Sequence, residues 1–231
     1  MKASVDLATL SHDTIMAHPA AVPHIGVLDG SEVLSGLAQR VLLALAGHAS
    51  TPRAIAVQTV GDLDDLLGGE DITISSKIVA VSSEEEICAQ LEAPRCLLVC
   101  CEEGARKLGS LLTHLEPGDA VIVATHGQLA GAAAPSIGQE PVEGVHFLQC
   151  GFPGTLRRMS GGTSIVVSCS EAAWAGGGIA VDVLKQLAAS DGRTACVTRV
   201  GTGAVAHLVQ QVHDSTELCI LELIHEACNL L

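Results

Sequence analysis

With 231 residues, 48% of them apolar, the chain is long enough for one large domain or two small ones, each burying its own core. Twelve basic against 26 acidic residues give a formal charge of −14, which repels a phosphate backbone and excludes duplex nucleic acid as a partner. There is no Tyr, and Phe147, Phe152 and Trp174 are the only aromatics, so the core must be built from Ala, Val, Leu and Ile. Such a core suits close packing of helices on a sheet and lacks the plates on which bases stack.

Residues 1–23 carry acidic groups and His without the apolar run of a signal peptide, and no stretch of 18 apolar residues occurs. The first expected strand is 24–28. A helix at 32–46 follows, with Val33, Leu34, Leu37, Val41, Leu42 and Leu45 on one stripe, Ser31 as N-cap and Gly47 as stop. Strands are expected next at 53–60 and 77–82. Ser83 and Glu86 have capping-box spacing for a short helix that Pro94 ends before a strand at 95–101. The helix expected at 102–115 pairs Glu102 with Arg106 and Glu103 with Lys107 on its solvent face. Further strands are expected at 119–125, 145–150, 164–169, 194–200 and 218–224, and a helix at 179–189. Most of these strands are continuous Val, Ile and Leu runs, as strands covered on both faces should be.

The expected fold is therefore α/β, a mainly parallel sheet flanked by helices. Its organisation is either one continuous domain or a first lobe at 22–127, a Gly/Pro-rich connection at 128–162 and a second lobe at 163–231. Both lobes are acidic, so charge does not separate them. The alternative is a tandem ferredoxin-like α+β arrangement, since the first lobe reads strand, helix, strand, strand, helix, strand. Its second copy lacks an internal sequence match and an extra strand.

Nine cysteines sit mostly in apolar runs, in odd number and without a Cys-x-x-Cys pair. This spacing argues against a disulfide framework and a structural zinc site, and for reduced thiols in the cytosol. No two histidines are spaced as ligands on one helix, so no metal is expected.

In an open parallel sheet, functional groups collect beyond the carboxyl ends of the strands. The expected reacting groups there are Cys169, His126 and Cys101. A thiol would need a helix N-terminus or a nearby cation to lower its pKa, and His126 could relay a proton near neutral pH. Each also has an ordinary reading, as a buried structural thiol or a surface histidine. Cys169-Ser170-Glu171 is similar, over three residues only, to the second motif of amino-acid racemases, which use paired cysteines at facing strand ends.

Arg157 and Arg158 form the one adjacent basic pair and would draw an anionic group, although a surface contact explains the pair equally. Gly176, Gly177 and Gly178 are unsuited to a helix interior and point to a loop that a ligand or another backbone approaches. Gly201-Thr202-Gly203-Ala204-Val205-Ala206 reads G-x-G-x-x-A between a strand and a helix, with Glu222 21 residues after Gly201 where a ribose-binding acid is expected. Against it, a dinucleotide fold starts with this unit, and here it comes last, so the cofactor stays unknown.

Function is not fixed by these residues. One reading is a protein that binds a small carboxylate- or phosphate-bearing ligand at strand-end loops, with or without Cys/His chemistry. The other is a non-catalytic subunit, self-assembling or associated with an enzyme, whose high apolar share covers an interface. Expected partners are a small-molecule ligand and further subunits, with neither nucleic acid nor membrane.

Overall fold

The structure, a computed structural model, describes residues 25–28, 41, 55–58, 78–100, 108–124, 142–153, 163–190 and 193–230. Its strands are β1 (Ile25–Leu28), β2 (Ile55–Gln58), β3 (Ile78–Val81), β4 (Cys96–Val99), β5 (Ala120–Val123), β6 (His146–Gly151), β7 (Ile165–Ser168) and β8 (Val197–Gly201). They form a single sheet in the order β3-β2-β1-β4-β5-β6-β7-β8. The first six run parallel, β7 runs against β6, and β8 is parallel to β7.

An order that starts in the middle, winds outward through β2 and β3 and then resumes through β4, β5 and β6 is that of a doubly wound α/β sheet. The α/β reading with a mainly parallel sheet thus holds, and the parallel neighbours rule out the ferredoxin-like alternative, whose strands alternate in direction. The segment 128–162 contributes β6 to the sheet, so its two flanks share one continuous set of strands.

Both faces of the sheet are covered. On one, Ile25, Val27, Cys96, Leu98, Ala120, Ile122, Leu148 and Val167 pack with Val183, Leu184 and Leu187. On the other, Leu97, Val99, Val121 and Val123 meet Ile87, Cys88, Leu91, Leu108 and Leu111. Alternate residues of each strand feed opposite cores, which is why the central strands read as uninterrupted apolar runs.

The described helices are α1 (Glu84–Gln90), α2 (Leu108–Leu111, continued as a 3-10 turn by Leu112–His114), α3 (Glu171–Gly176), α4 (Gly178–Leu187) and α5 (Val205–Leu230). Val41 is helical and buried, within the expected 32–46 helix. Ser83 caps α1 by accepting from the Glu86 N–H at 3.1 Å. The return contact of a capping box comes one residue earlier, since the Ser82 N–H and hydroxyl both donate to Glu86 at 2.8 Å. These two bonds hold the Glu86 carboxyl below its usual range.

One expected element is corrected. Residues 218–224 are not a strand but part of α5, a 26-residue helix about 39 Å long. Its first turns are anchored. The Ser168 hydroxyl donates to Gly203 O at 2.6 Å and accepts from Ala206 N–H at 3.3 Å, and Gln210 Oε1 accepts from Phe152 N–H at 3.0 Å. Beyond Gln210 no residue of α5 is buried, and Leu218, Ile220, Leu221, Leu223 and Ile224 are all exposed. Among the described residues no helix is long and apolar enough to cross a membrane.

Candidate functional site

Strand direction decides which of the expected site residues can meet. β4, β5 and β6 end at one edge of the sheet, and the segments carrying Cys101, His126 and Arg157–Arg158 follow them in the sequence. These four residues lie outside the described residues. β7 and β8 run the other way, so Cys169 and Gly201 leave from the opposite edge. The expectation of one common rim is therefore corrected: antiparallel pairing of β7 on β6 divides the candidates into two sets.

At the second edge the groups are tied to one another by structural bonds. Cys169 N–H donates to Gly201 O at 2.9 Å, and Arg199 Nε donates to Cys169 O at 3.1 Å. The Cys169 side chain is fully buried, and burial pushes its thiol pKa up, with the Arg199 guanidinium opposing only in part. A thiol in that state is a poor nucleophile at neutral pH. Nor do facing strand ends pair it with the segment after β4, since β5 and β6 stand between β4 and β7.

Gly176 and Gly177 are at the same edge. A Cβ on Gly176 would lie 2.8 Å from the His146 ring, and one on Gly177 would lie 2.5 Å from Ala173 O. They end α3 and start α4 at a close approach of helix junction to strand, with Ser170 capping α3 by accepting from Ala173 N–H. Gly178 faces open space.

Gly201 and Gly203 adopt positive φ, 144° and 67°, as the turn into α5 requires. That turn follows the edge strand β8, far from the point where the strand order reverses. Glu222 is an exposed residue deep in α5 and not at the end of a following strand. The G-x-G-x-x-A stretch thus makes a helix anchor on Ser168, and the ribose role expected for Glu222 is corrected.

His213, Asp214 and Glu217 on α5 present ligand atoms within 4.8 Å of one another. They share the surface of one helix, an arrangement common without an ion, and the Asp214 carboxylate contacts His213 Nδ1 at 3.2 Å.

The feature that sequence reasoning missed is the reversal of strand order between β1 and β4. From β1 the chain winds outward to β2 and β3, then returns to lay β4 on the other flank. Open α/β sheets bind ligands beyond the carboxyl ends of the strands at such a reversal. Cys100 N–H donates to Leu28 O at 3.0 Å, continuing the β1–β4 ladder at that edge.

No model of a protein family matches the chain. It is 28% identical over 201 residues to the decarboxylating 6-phosphogluconate dehydrogenase of Caenorhabditis elegans, covering 86% of this chain and 40% of that protein. To the enzyme of the same name from Synechococcus elongatus it is 30% identical over 158 residues, 67% of this chain and 32% of that protein. Among solved structures, Plasmodium falciparum 6-phosphogluconate dehydrogenase, studied apo, with its cofactor NADP+ and with its substrate 6-phosphogluconate, superposes with a TM-score of 0.68 at 21% identity. That match covers 88% of this chain and 42% of that one, so the chain spans between about a third and two fifths of the length of these relatives.

Proposed function

We propose that the chain is the sheet-bearing portion of a protein of the 6-phosphogluconate dehydrogenase kind and binds a small phosphate- or carboxylate-bearing molecule at the carboxyl edge of β4, β5 and β6. The observation that carries this reading is the reversal of strand order between β1 and β4. The sequence after β5 holds His126, and that after β6 holds Arg157 and Arg158, the donors a sugar-acid phosphate needs. Cys101, after β4, is the one expected thiol that follows a strand ending at this edge. The cysteines among the described residues are free thiols, which suits a reducing cytosol.

Calorimetric titration with 6-phosphogluconate tests the reading. Saturable binding is expected, weakened about tenfold or more when Arg157 and Arg158 are both changed to Ala. Absence of binding to the native chain would overturn it.

A second reading is favoured by α5. In its last turns Glu222, His225, Glu226 and Asn229 form one polar stripe, and the apolar residues beside it, Leu218, Ile220, Leu221, Leu223, Ile224 and Leu230, are exposed where such a face is normally covered. As a self-assembling or enzyme-associated subunit the chain would bury that surface. Light scattering is then expected to give a mass above the 23.6 kDa of one chain, and a monomer at high concentration would count against it.

A further inference from the structure

The relative solved with NADP+ makes the β1 turn the place to ask whether this chain holds a dinucleotide. In a doubly wound sheet the pyrophosphate lies at the turn after β1, on a G-x-G-x-x-G stretch. The first glycine makes the turn, the second lets the backbone approach the phosphates, and the third lets helix pack on strand. An acid at the end of β2 takes the ribose hydroxyls, or an Arg nearby takes a 2′-phosphate.

Of the three glycines only the first has a counterpart, Gly30, and β2 does not end on an acid. The one glycine of β1, Gly26, is used inside the strand, in register with Ala56 and Leu97. A Cβ there would run into the side chains of Leu97, Ile87 and Leu91, so its role is packing in the core. Leu28, the last residue of β1, is fully buried. The sequence then continues Asp29-Gly30-Ser31-Glu32-Val33-Leu34-Ser35-Gly36. Counted from Gly30, the second and third glycine positions hold Glu32 and Ser35; counted from Asp29, they hold Ser31 and Leu34. No register between Gly26 and Gly36 keeps two of the three glycines.

Charge works in the same direction. Asp29 and Glu32 follow β1 directly, with no Lys or Arg before Arg40. β2 ends on the neutral Gln58, and residues 59–76 hold Asp62, Asp64, Asp65, Glu70 and Asp71 without one Lys or Arg. β2 lies beside β1, so the segments that follow both strands are acidic in sequence and supply no Lys or Arg for a pyrophosphate or 2′-phosphate.

We infer that this chain does not take NAD(H) or NADP(H) at the β1 turn. Gly26 and Leu28 serve the core.

Titration of the native chain with NADPH and with NADH, followed by nicotinamide fluorescence and by melting temperature, tests the inference. No saturation is expected up to about 1 mM, and a dissociation constant in the micromolar range would overturn it. A variant combining Glu32→Gly and Ser35→Gly, which complete the glycine spacing from Gly30, with Gln58→Asp, which supplies the ribose acid, is expected to bind NADH at least about tenfold more tightly than the native chain. A folded variant, by its circular dichroism, that binds no better would overturn the assignment to these residues. Should the variant fail to fold, the native titration decides alone. Loss of 6-phosphogluconate binding would sink the ligand edge and leave the dinucleotide result standing.

Discussion

Replacing Asp119 by alanine is expected to cost about 3 kcal/mol of folding stability, more than any surface charge in the chain. Asp119 has no exposed side-chain surface. Its Oδ1 accepts from Arg95 N–H at 2.7 Å, and its Oδ2 accepts from Glu116 N–H at 2.9 Å and from Arg95 Nη1 at 3.3 Å. The same guanidinium donates to His114 O at 2.9 Å and to the largely exposed Glu116 at 2.9 Å. One carboxylate therefore fixes the entry of β4, through Arg95, to the entry of β5. Alanine would strand two backbone donors and leave the guanidinium, only 12% exposed, with the exposed Glu116 as its one carboxylate partner. Urea unfolding of Asp119→Ala, Arg95→Ala and the double variant gives the coupling. A loss below about 1 kcal/mol for Asp119→Ala would mean that water replaces the carboxylate. Removing Asp182, whose pair with Lys185 is exposed on both sides, should change stability by less than about 0.5 kcal/mol.

Stability is expected to fall steeply above about pH 8.5, the ordinary range of a free thiol. Burial pushes the Cys96 and Cys150 thiols far up, and for Cys150 the neighbouring Cys169, Cys96 and Cys100 add to it. In the folded chain both stay protonated; in the unfolded chain both ionise in the usual range. The unfolded state therefore binds fewer protons as pH rises, so the contribution is complete below the unfolded pKa and is lost above it. Each such thiol removes about 1.4 kcal/mol per pH unit in that window. With no Tyr and four Lys, the other contributors there are the Cys88 and Cys169 thiols, which burial also raises. Denaturant midpoints at pH 8 and pH 10 should differ strongly in the native chain and less in a Cys96→Val, Cys150→Val variant. Equal pH slopes in the two proteins would contradict the assignment.

The interior strands were legible because a strand buried on both faces must be apolar at every position. The expected 24–28, 95–101, 119–125, 145–150 and 164–169 contain or overlap β1, β4, β5, β6 and β7. Residues 218–224 misled for the same reason, since Leu, Cys and Ile in a short run suit either strand or helix. The deciding signal was the absence of Gly and Pro from Ala204 to Leu230, which gives the chain nowhere to turn. Strand direction was the larger gap. The 13 residues between Gly151 and Ile165 include Pro153, Gly154, Gly161 and Gly162, a composition poor for the crossover helix that a parallel return needs. Read that way, the reversal at β7 was accessible, and Cys169 would have been set apart from the groups that follow β4 and β5. The reversal between β1 and β4 was not accessible, because it exists only through strand order.

Hydrogen exchange of the native chain with and without 6-phosphogluconate tests the ligand edge most directly. Slowed exchange is predicted where β4, β5 and β6 end, around Cys100, Ala124 and Phe152, with residues 169–178 and 201–203 unchanged. Protection confined to 169–178 and 201–203 would place the ligand at the opposite edge and contradict the account.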